Sequence, residues 1–176
     1  PILAGPEIGV ASTKAFTCQL AVLAALALRA GTDRGHLTPE RHQALVDSLR
    51  RVPGQMNAAL AQEETIRQAA IRVSEAHDVL FLGRGPMFPI ALEGALKLKE
   101  ISYIHAEGYA SGELKHGPIA LIDKKVPVVV FAPRDALFDK TVSNMQEVMA
   151  RKGKVLLISD AAGVTEAGDG VWRAIT

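Results

Sequence analysis

The sequence predicts an α/β protein: a parallel sheet between layers of helix, with further helices ahead of it. Two observations predict this. Short, unbroken apolar runs recur at residues 78–83 (DVLFLG), 126–132 (VPVVVFA) and 154–159 (KVLLIS), the pattern of strands buried on both faces. Helical stretches separate these runs, and a strand–helix–strand order gives parallel pairing through right-handed crossovers.

Each element follows from local signals. Ser12 and Thr13 are good caps for a helix over about 13–29 that is apolar nearly all round, which predicts burial, and Gly31 is expected to stop it. Thr38, followed by Pro39 and Glu40, caps a second helix reaching about Arg51, amphipathic through Leu45, Val46 and Leu49. A third helical stretch is predicted from about Pro53 to Glu75, with a break near Gln62. After the first strand, Gly83-Arg84-Gly85 turns the chain and Pro89 is expected to open a helix; residues 105–118 read as a loop. A helix over about 138–152, closed by Gly153, joins the second and third strands, and residues 170–176 (GVWRAIT) read as a fourth strand. Ligands of such sheets bind beyond the carboxyl ends of the strands.

Bulk properties narrow the function classes. The 176 residues suit one domain, or one domain and part of another. The chain is 48% hydrophobic and 22% charged, an ordinary globular composition. A net charge of +1 gives no field that favours nucleic acid or an anionic membrane. The lone Cys18 cannot staple a fold; it reads as a small buried hydrophobe in a reducing, cytoplasmic setting. The apolar run 20–28 (LAVLAALAL) is too short to span a bilayer, and the chain opens at Pro1 with no signal-peptide pattern, so it is expected to be a fragment of a longer protein.

The chemistry-bearing residues concentrate in EGALKLKEISYIHAEGYASGELKHGP, 93–118. At about 100° per residue, Glu93, Lys97 and Glu100 share about a sixth of the helix circumference, flanked by Ile90, Leu96, Ile101 and Ile104. A carboxylate balanced between burial and a neighbouring ammonium can take a proton from carbon and return it. A surface ion pair explains the helix equally well. His116, in a stiff turn before Gly117-Pro118, could move protons at neutral pH or simply be solvated. Gly83-Arg84-Gly85 is either an anion-cradling turn or a tight strand-to-helix turn, and it lacks the third glycine of a dinucleotide fingerprint. Ser12 and Thr13 are either caps or hydroxyls offered to a sugar phosphate. His105 and His116 have no metal-ligand spacing with any cysteine, so no metal is expected.

The strings GPEIGVASTKAFTCQL (5–20), FLGRGPMFPIALEGALKLKEISYIHAEGYASGELKHGPIALI (81–122) and VPVVVFAP (126–133) closely resemble the isomerase half of the glutamine–fructose-6-phosphate aminotransferase family, the glucosamine-6-phosphate synthases. The resemblance covers essentially the whole chain in order. It implies a pair of sugar isomerase (SIS) domains, each a flavodoxin-like three-layer αβα parallel sheet. It assigns residues 1–34 to the tail of a first SIS domain, 35–70 to a helical connector and 71–176 to most of a second. It implies synthesis of glucosamine 6-phosphate from fructose 6-phosphate and glutamine-derived ammonia. It places Glu100 as the acid/base that moves a proton between C1 and C2, with Lys97 beside it. His116 is placed as the group that helps open the sugar ring in the neighbouring subunit's site. Val10, through its backbone, and Ser12, through its hydroxyl, would contact the sugar; Glu93 is carried only as a partner of Lys97. The implied assembly is a cytoplasmic homodimer with shared sites and a glutaminase domain elsewhere in the chain, without metal or organic cofactor. The family's phosphate-binding loops are expected before Pro1 and its Schiff-base lysine beyond Thr176, so these residues alone are expected neither to bind the sugar tightly nor to turn it over. Two other readings use the same fold: a non-enzymatic SIS module that senses sugar phosphates, and an SIS fructosamine-phosphate deglycase.

Overall fold

The computed structural model describes all residues, Pro1–Thr176. It comprises two compact units, Pro1–Gln62 and Glu63–Thr176.

The first unit is an extended N-terminal segment and two helices, α1 (Lys14–Asp33) and α2 (Pro39–Leu60). Thr13 occupies the N-cap of α1 but makes no side-chain cap bond. Glu7 does that work instead: its Oε1 accepts from the Ala15 N–H at 2.9 Å and from the Ser12 hydroxyl at 3.2 Å. Gly31 does not stop the helix, which runs on to Asp33. Its bare Cα lets Leu37 fold back, since a Cβ there would lie 3.0 Å from Leu37 Cδ1. The stop falls at Gly35, in the left-handed region at φ +69°. No residue of α1 is buried, and Leu20, Val22, Leu23 and Leu26 are exposed, contrary to the burial its composition predicts. One neighbouring helix covers only one side of another: α2 meets α1 along a groove of about 400 Å³ lined by Leu28, His42, Val46 and Leu49, and the other faces of α1 stay open. By length and composition alone, α1 is long and apolar enough to cross a bilayer, a test that the apolar core helix of a soluble protein also passes. Cys18 is a free thiol, half-buried rather than buried. Thr38 caps α2 as predicted, accepting from the Arg41 N–H at 3.3 Å. The helix then passes through Pro53 without stopping, at the loss of one backbone bond, so the predicted boundary at that proline is absent.

The second unit is a five-stranded sheet, every strand parallel, in the order β2-β1-β3-β4-β5. Its strands are β1 (Asp78–Gly83), β2 (His105–Ala110), β3 (Pro127–Phe131), β4 (Lys154–Ile158) and β5 (Arg173–Ile175). Helix α3 (Glu63–Val73) precedes β1, and the break at residues 61–62 falls where the sequence placed it. Helix α4 (Met87–Ser102) links β1 to β2 on one side of β1, whereas α5 (Phe138–Ala150) and α6 (Ala161–Ala167) carry the chain outward through β4 to β5 on the other. This 2-1-3-4-5 order is the flavodoxin-like arrangement.

Two cores flank the sheet. Ala69, Val73, Phe81, Ala91, Ala95, Ala106 and Leu156 pack on the α3/α4 face. Leu82, Leu114, Val130, Phe138, Met145, Val148 and Leu157 pack on the α5/α6 face. Helix α4 opens at Met87, behind Pro86, rather than at Pro89. Gly83 makes that entry possible, because a Cβ there would sit 2.0 Å from the Met87 carbonyl oxygen.

Residues 105–110 are a strand, not the beginning of a loop. The segment HAEGYA has no apolar run because β2 is the sheet's edge. Ala106 faces the α4 core, and Gly108 lets α4 close in, a Cβ there falling 2.8 Å from Leu92 Cα. His105, Glu107 and Tyr109 occupy the alternate positions. Two 3-10 turns follow, Ser111–His116 and Pro118–Leu121.

Candidate active site

The charged stripe of α4 forms as its spacing predicts. Lys97 Nζ lies 2.6 Å from Glu100 Oε2 and 3.5 Å from Glu93 Oε1. Between a fifth and a quarter of each side chain is exposed (20% for Lys97, 23% for Glu93, 25% for Glu100). The hydrogen bond to Glu100, helped by the charges of both glutamates, holds the Lys97 ammonium above the ordinary lysine range, against the opposing effect of partial burial. Lys97 is therefore a fixed cation at neutral pH.

The stripe is not where the crevice rule for parallel sheets points. Ala91 and Ala95 are the α4 residues buried against the sheet, and at about 100° per residue the three charged residues lie on the opposite side of the helix. Helix α4 begins just past the end of β1 and returns toward the start of β2, where His105 pairs with Asp78, the first residue of β1. At roughly 1.5 Å per residue, Glu100 is about 20 Å along α4 from its first residue. The carboxylate thus faces away from its own sheet and far from the carboxyl ends of the strands.

His116 ends the first 3-10 turn, exposed and with no side-chain hydrogen bond or ion pair. That turn packs through fully buried Leu114 against the α5 face, whereas α4 covers the other face. The unit therefore brings Glu93, Lys97 and Glu100 together and holds His116 on the opposite side of the sheet. In the first unit, Val10 is exposed with its side chain open, and the Ser12 hydroxyl is engaged by Glu7. Glu7 was not singled out in the sequence; an acid a few residues ahead of a helix start is its only signal.

The polar residues of β2 are tied to one another and to Asp78, whereas Ser111 Oγ, in the turn that follows, is buried without a partner. His105 Nδ1 lies 2.9 Å from Asp78 Oδ1 and its Nε2 3.5 Å from Glu107 Oε1, while the Tyr109 hydroxyl donates to Glu107. That bond lowers the Glu107 carboxyl below its usual range and raises the Tyr109 phenol. These residues dress an edge strand.

A family model described as the SIS domain matches residues 72–168. The chain belongs to the SIS domain family. Residues 1–176 are 62% identical to a glutamine–fructose-6-phosphate aminotransferase [isomerizing] of Zymomonas mobilis, covering all of this chain and 29% of that protein. A protein of the same name from Rhizobium meliloti is 66% identical over 164 residues, covering 93% of this chain and 27% of its own. This SIS chain therefore spans less than a third of the length of either relative. Among solved structures, the C-terminal domain of glucosamine-fructose-6-phosphate aminotransferase from Francisella tularensis superposes with a TM-score of 0.93 at 48% identity, covering 97% of this chain and 48% of that one. A tagatose-6-phosphate ketose/aldose isomerase from Escherichia coli shares the fold at a TM-score of 0.66 and 21% identity, covering 95% of this chain and 42% of its own.

Proposed function

We propose that this chain is part of the isomerase half of a glutamine–fructose-6-phosphate aminotransferase, which makes glucosamine 6-phosphate from fructose 6-phosphate and glutamine-derived ammonia. The observation that carries the reading is the 62% identity, across every residue of the chain, to a protein of that name. The geometry supports a division of labour among the residues. The C1–H proton of a 2-imino sugar passes to Glu100, and the electron pair left behind forms the C1=C2 bond while the imine π electrons move to nitrogen, which takes up a proton to become the amine. Glu100 then returns its proton to C2, and the C1 hydroxyl gives up a proton in place of the one nitrogen gained, leaving the aldehyde. A rigid helix keeps the carboxylate over one face of the open-chain sugar, and the fixed Lys97 ammonium, 2.6 Å from it, steadies the negative charge that develops at the reacting carbons and oxygens. Glu93 holds Lys97 from the other side.

The outward aspect of the stripe supports a composite site, with sugar-binding groups supplied by other parts of the protein. His116, exposed on the opposite side of the sheet, is suited to reach a second subunit's site and help open the sugar ring. Val10 and Ser12 are proposed to contact the sugar. A soluble, cytoplasmic homodimer with a glutaminase domain in the same chain completes the proposal.

The test is a Glu100→Gln variant of the full-length protein, assayed with fructose 6-phosphate and glutamine. Loss of glucosamine 6-phosphate formation by about 10²-fold or more supports the acid/base role; undiminished synthesis would favour a sensing module or another catalytic group.

A further inference from the structure

One stripe of α5 grips the segment that carries His116, contact by contact. Asn144, Glu147 and Arg151 are spaced three and four residues apart, on one face of that helix and the turn that ends it. At the start of the gripped segment, Arg84 Nη1 donates to Asn144 Oδ1 at 3.0 Å. The same guanidinium lies against Gly112: a Cβ at that glycine would be 3.3 Å from Nη2, 3.4 Å from Nη1 and 3.5 Å from Cζ. Three near-equal distances mean that the flat face of the guanidinium, not an edge, covers the backbone there. In the middle, Lys115 Nζ meets Glu147 Oε1 at 2.9 Å; the lysine side chain is largely exposed, whereas Glu147 is mostly covered and its other oxygen is buried without a partner. At the far end, Arg151 Nη1 donates to the Ile119 carbonyl at 3.2 Å. Leu114, fully buried, pins the segment to the core between these contacts. His116 is held by its flanks and, like Glu113, projects free.

We propose that Arg84 and the Asn144–Glu147–Arg151 stripe are positioning residues that mount His116 rigidly, so that the turn is preformed rather than ordered by substrate. Arg84 is the part of the mount that ties β1 to α5, and it is the role of the Gly83-Arg84-Gly85 motif that the anion-cradle reading leaves unexplained. The inference deepens the function proposed above and rests on it only for the catalytic consequence. A rigid mount matters because an error of about 1 Å in a catalytic group costs roughly 10²-fold in rate.

Two measurements separate the mount from the reaction. Hydrogen–deuterium exchange of this chain follows segment 111–119 in Arg84→Ala and in Asn144→Ala, the second removing the anchor without touching Arg84. Exchange in that segment is expected to rise about tenfold in both variants while β3 and β4 stay protected; unchanged exchange in both variants would overturn the proposal, whatever the protein's activity. In the full-length protein, Arg84→Ala is expected to lower kcat about tenfold with little change in KM. Arg84→Lys, which keeps the charge but not the planar fork, should restore only part of that rate. The double variant Arg84→Ala/His116→Ala should be no slower than His116→Ala alone; losses that multiply would show that Arg84 does not act through His116. Full activity of His116→Ala would instead count against the functional role of His116, and the exchange result would then stand as a statement about the turn alone.

Discussion

Lys97 holds Glu100 at 2.6 Å and Glu93 at 3.5 Å, so the ammonium is shared unequally between two carboxylates one turn of α4 to either side. The closer bond is the larger cause of the raised Lys97 pKa. The stabilisation that this shift represents is fully present below the ordinary lysine pKa and is lost only as pH climbs through the raised value. Changes in rate or stability between about pH 6 and 9 therefore do not originate at Lys97. Glu100→Gln is expected to bring the Lys97 pKa back toward its ordinary value, and Glu93→Gln to lower it less. NMR titration of the lysine side chain measures both; equal shifts in the two variants would contradict the unequal sharing.

Much of the fold was legible because burial on both faces writes a strand as an unbroken apolar run, which is true of β1, β3 and β4. The edge strand β2 was not, because HAEGYA is half polar and its glycine serves the close approach of α4 rather than a turn. Helix α6, seven residues capped by Asp160, is too short to show a period. The nearly all-round apolar surface of α1 predicted burial that no neighbour in its unit supplies. At the site, the spacing of Glu93, Lys97 and Glu100 sufficed to find the triad. It could not show that the triad faces away from the sheet, because that depends on which face of α4 packs there, and it is the one bearing Ala91 and Ala95. The partners of Arg84 and of Ser12 were equally hidden, since Asn144 lies 60 residues from Arg84 and Glu7 caps from outside the helix.

Asp160 joins two loops at the carboxyl end of the sheet. It accepts from the Gly163 N–H at 2.9 Å as the N-cap of α6 and from the Arg134 N–H at 2.7 Å. These backbone bonds, Arg134's first, hold its carboxyl below the usual range. The stabilisation is present above the ordinary aspartate pKa and is lost as pH falls through the depressed value. Asp160→Asn is expected to lower Tm at pH 7 and to flatten the acid limb of the stability curve below about pH 4. Thermal melts from pH 2 to 7 provide the check; an unchanged acid limb would rule out the linkage.

Two glycines should respond oppositely to alanine. Gly83→Ala drives a Cβ into the Met87 backbone at 2.0 Å, with no flexible side chain to give way, and should destabilise by about 3 kcal/mol. Gly54→Ala, inside α2 with nothing within 4 Å of the new Cβ, should stabilise by about 1 kcal/mol. Denaturant midpoints of the two variants test the pair.

Because the triad faces away from its own sheet, the 176-residue chain is expected to give no heat on titration with fructose 6-phosphate. Micromolar binding by calorimetry would mean that these residues hold the sugar without help from the rest of the protein.

The most direct measurement is isotopic. The full-length protein and its Glu100→Gln variant are supplied with fructose 6-phosphate and ammonia or glutamine in deuterated water, and deuterium at C2 of the product and C1 of recovered substrate is read by NMR. If the carboxylate of Glu100 carries the proton, the wild type incorporates deuterium at one or both carbons and the variant shows both exchange and product formation reduced by about 10²-fold or more. Undiminished exchange and synthesis in the variant would contradict the account.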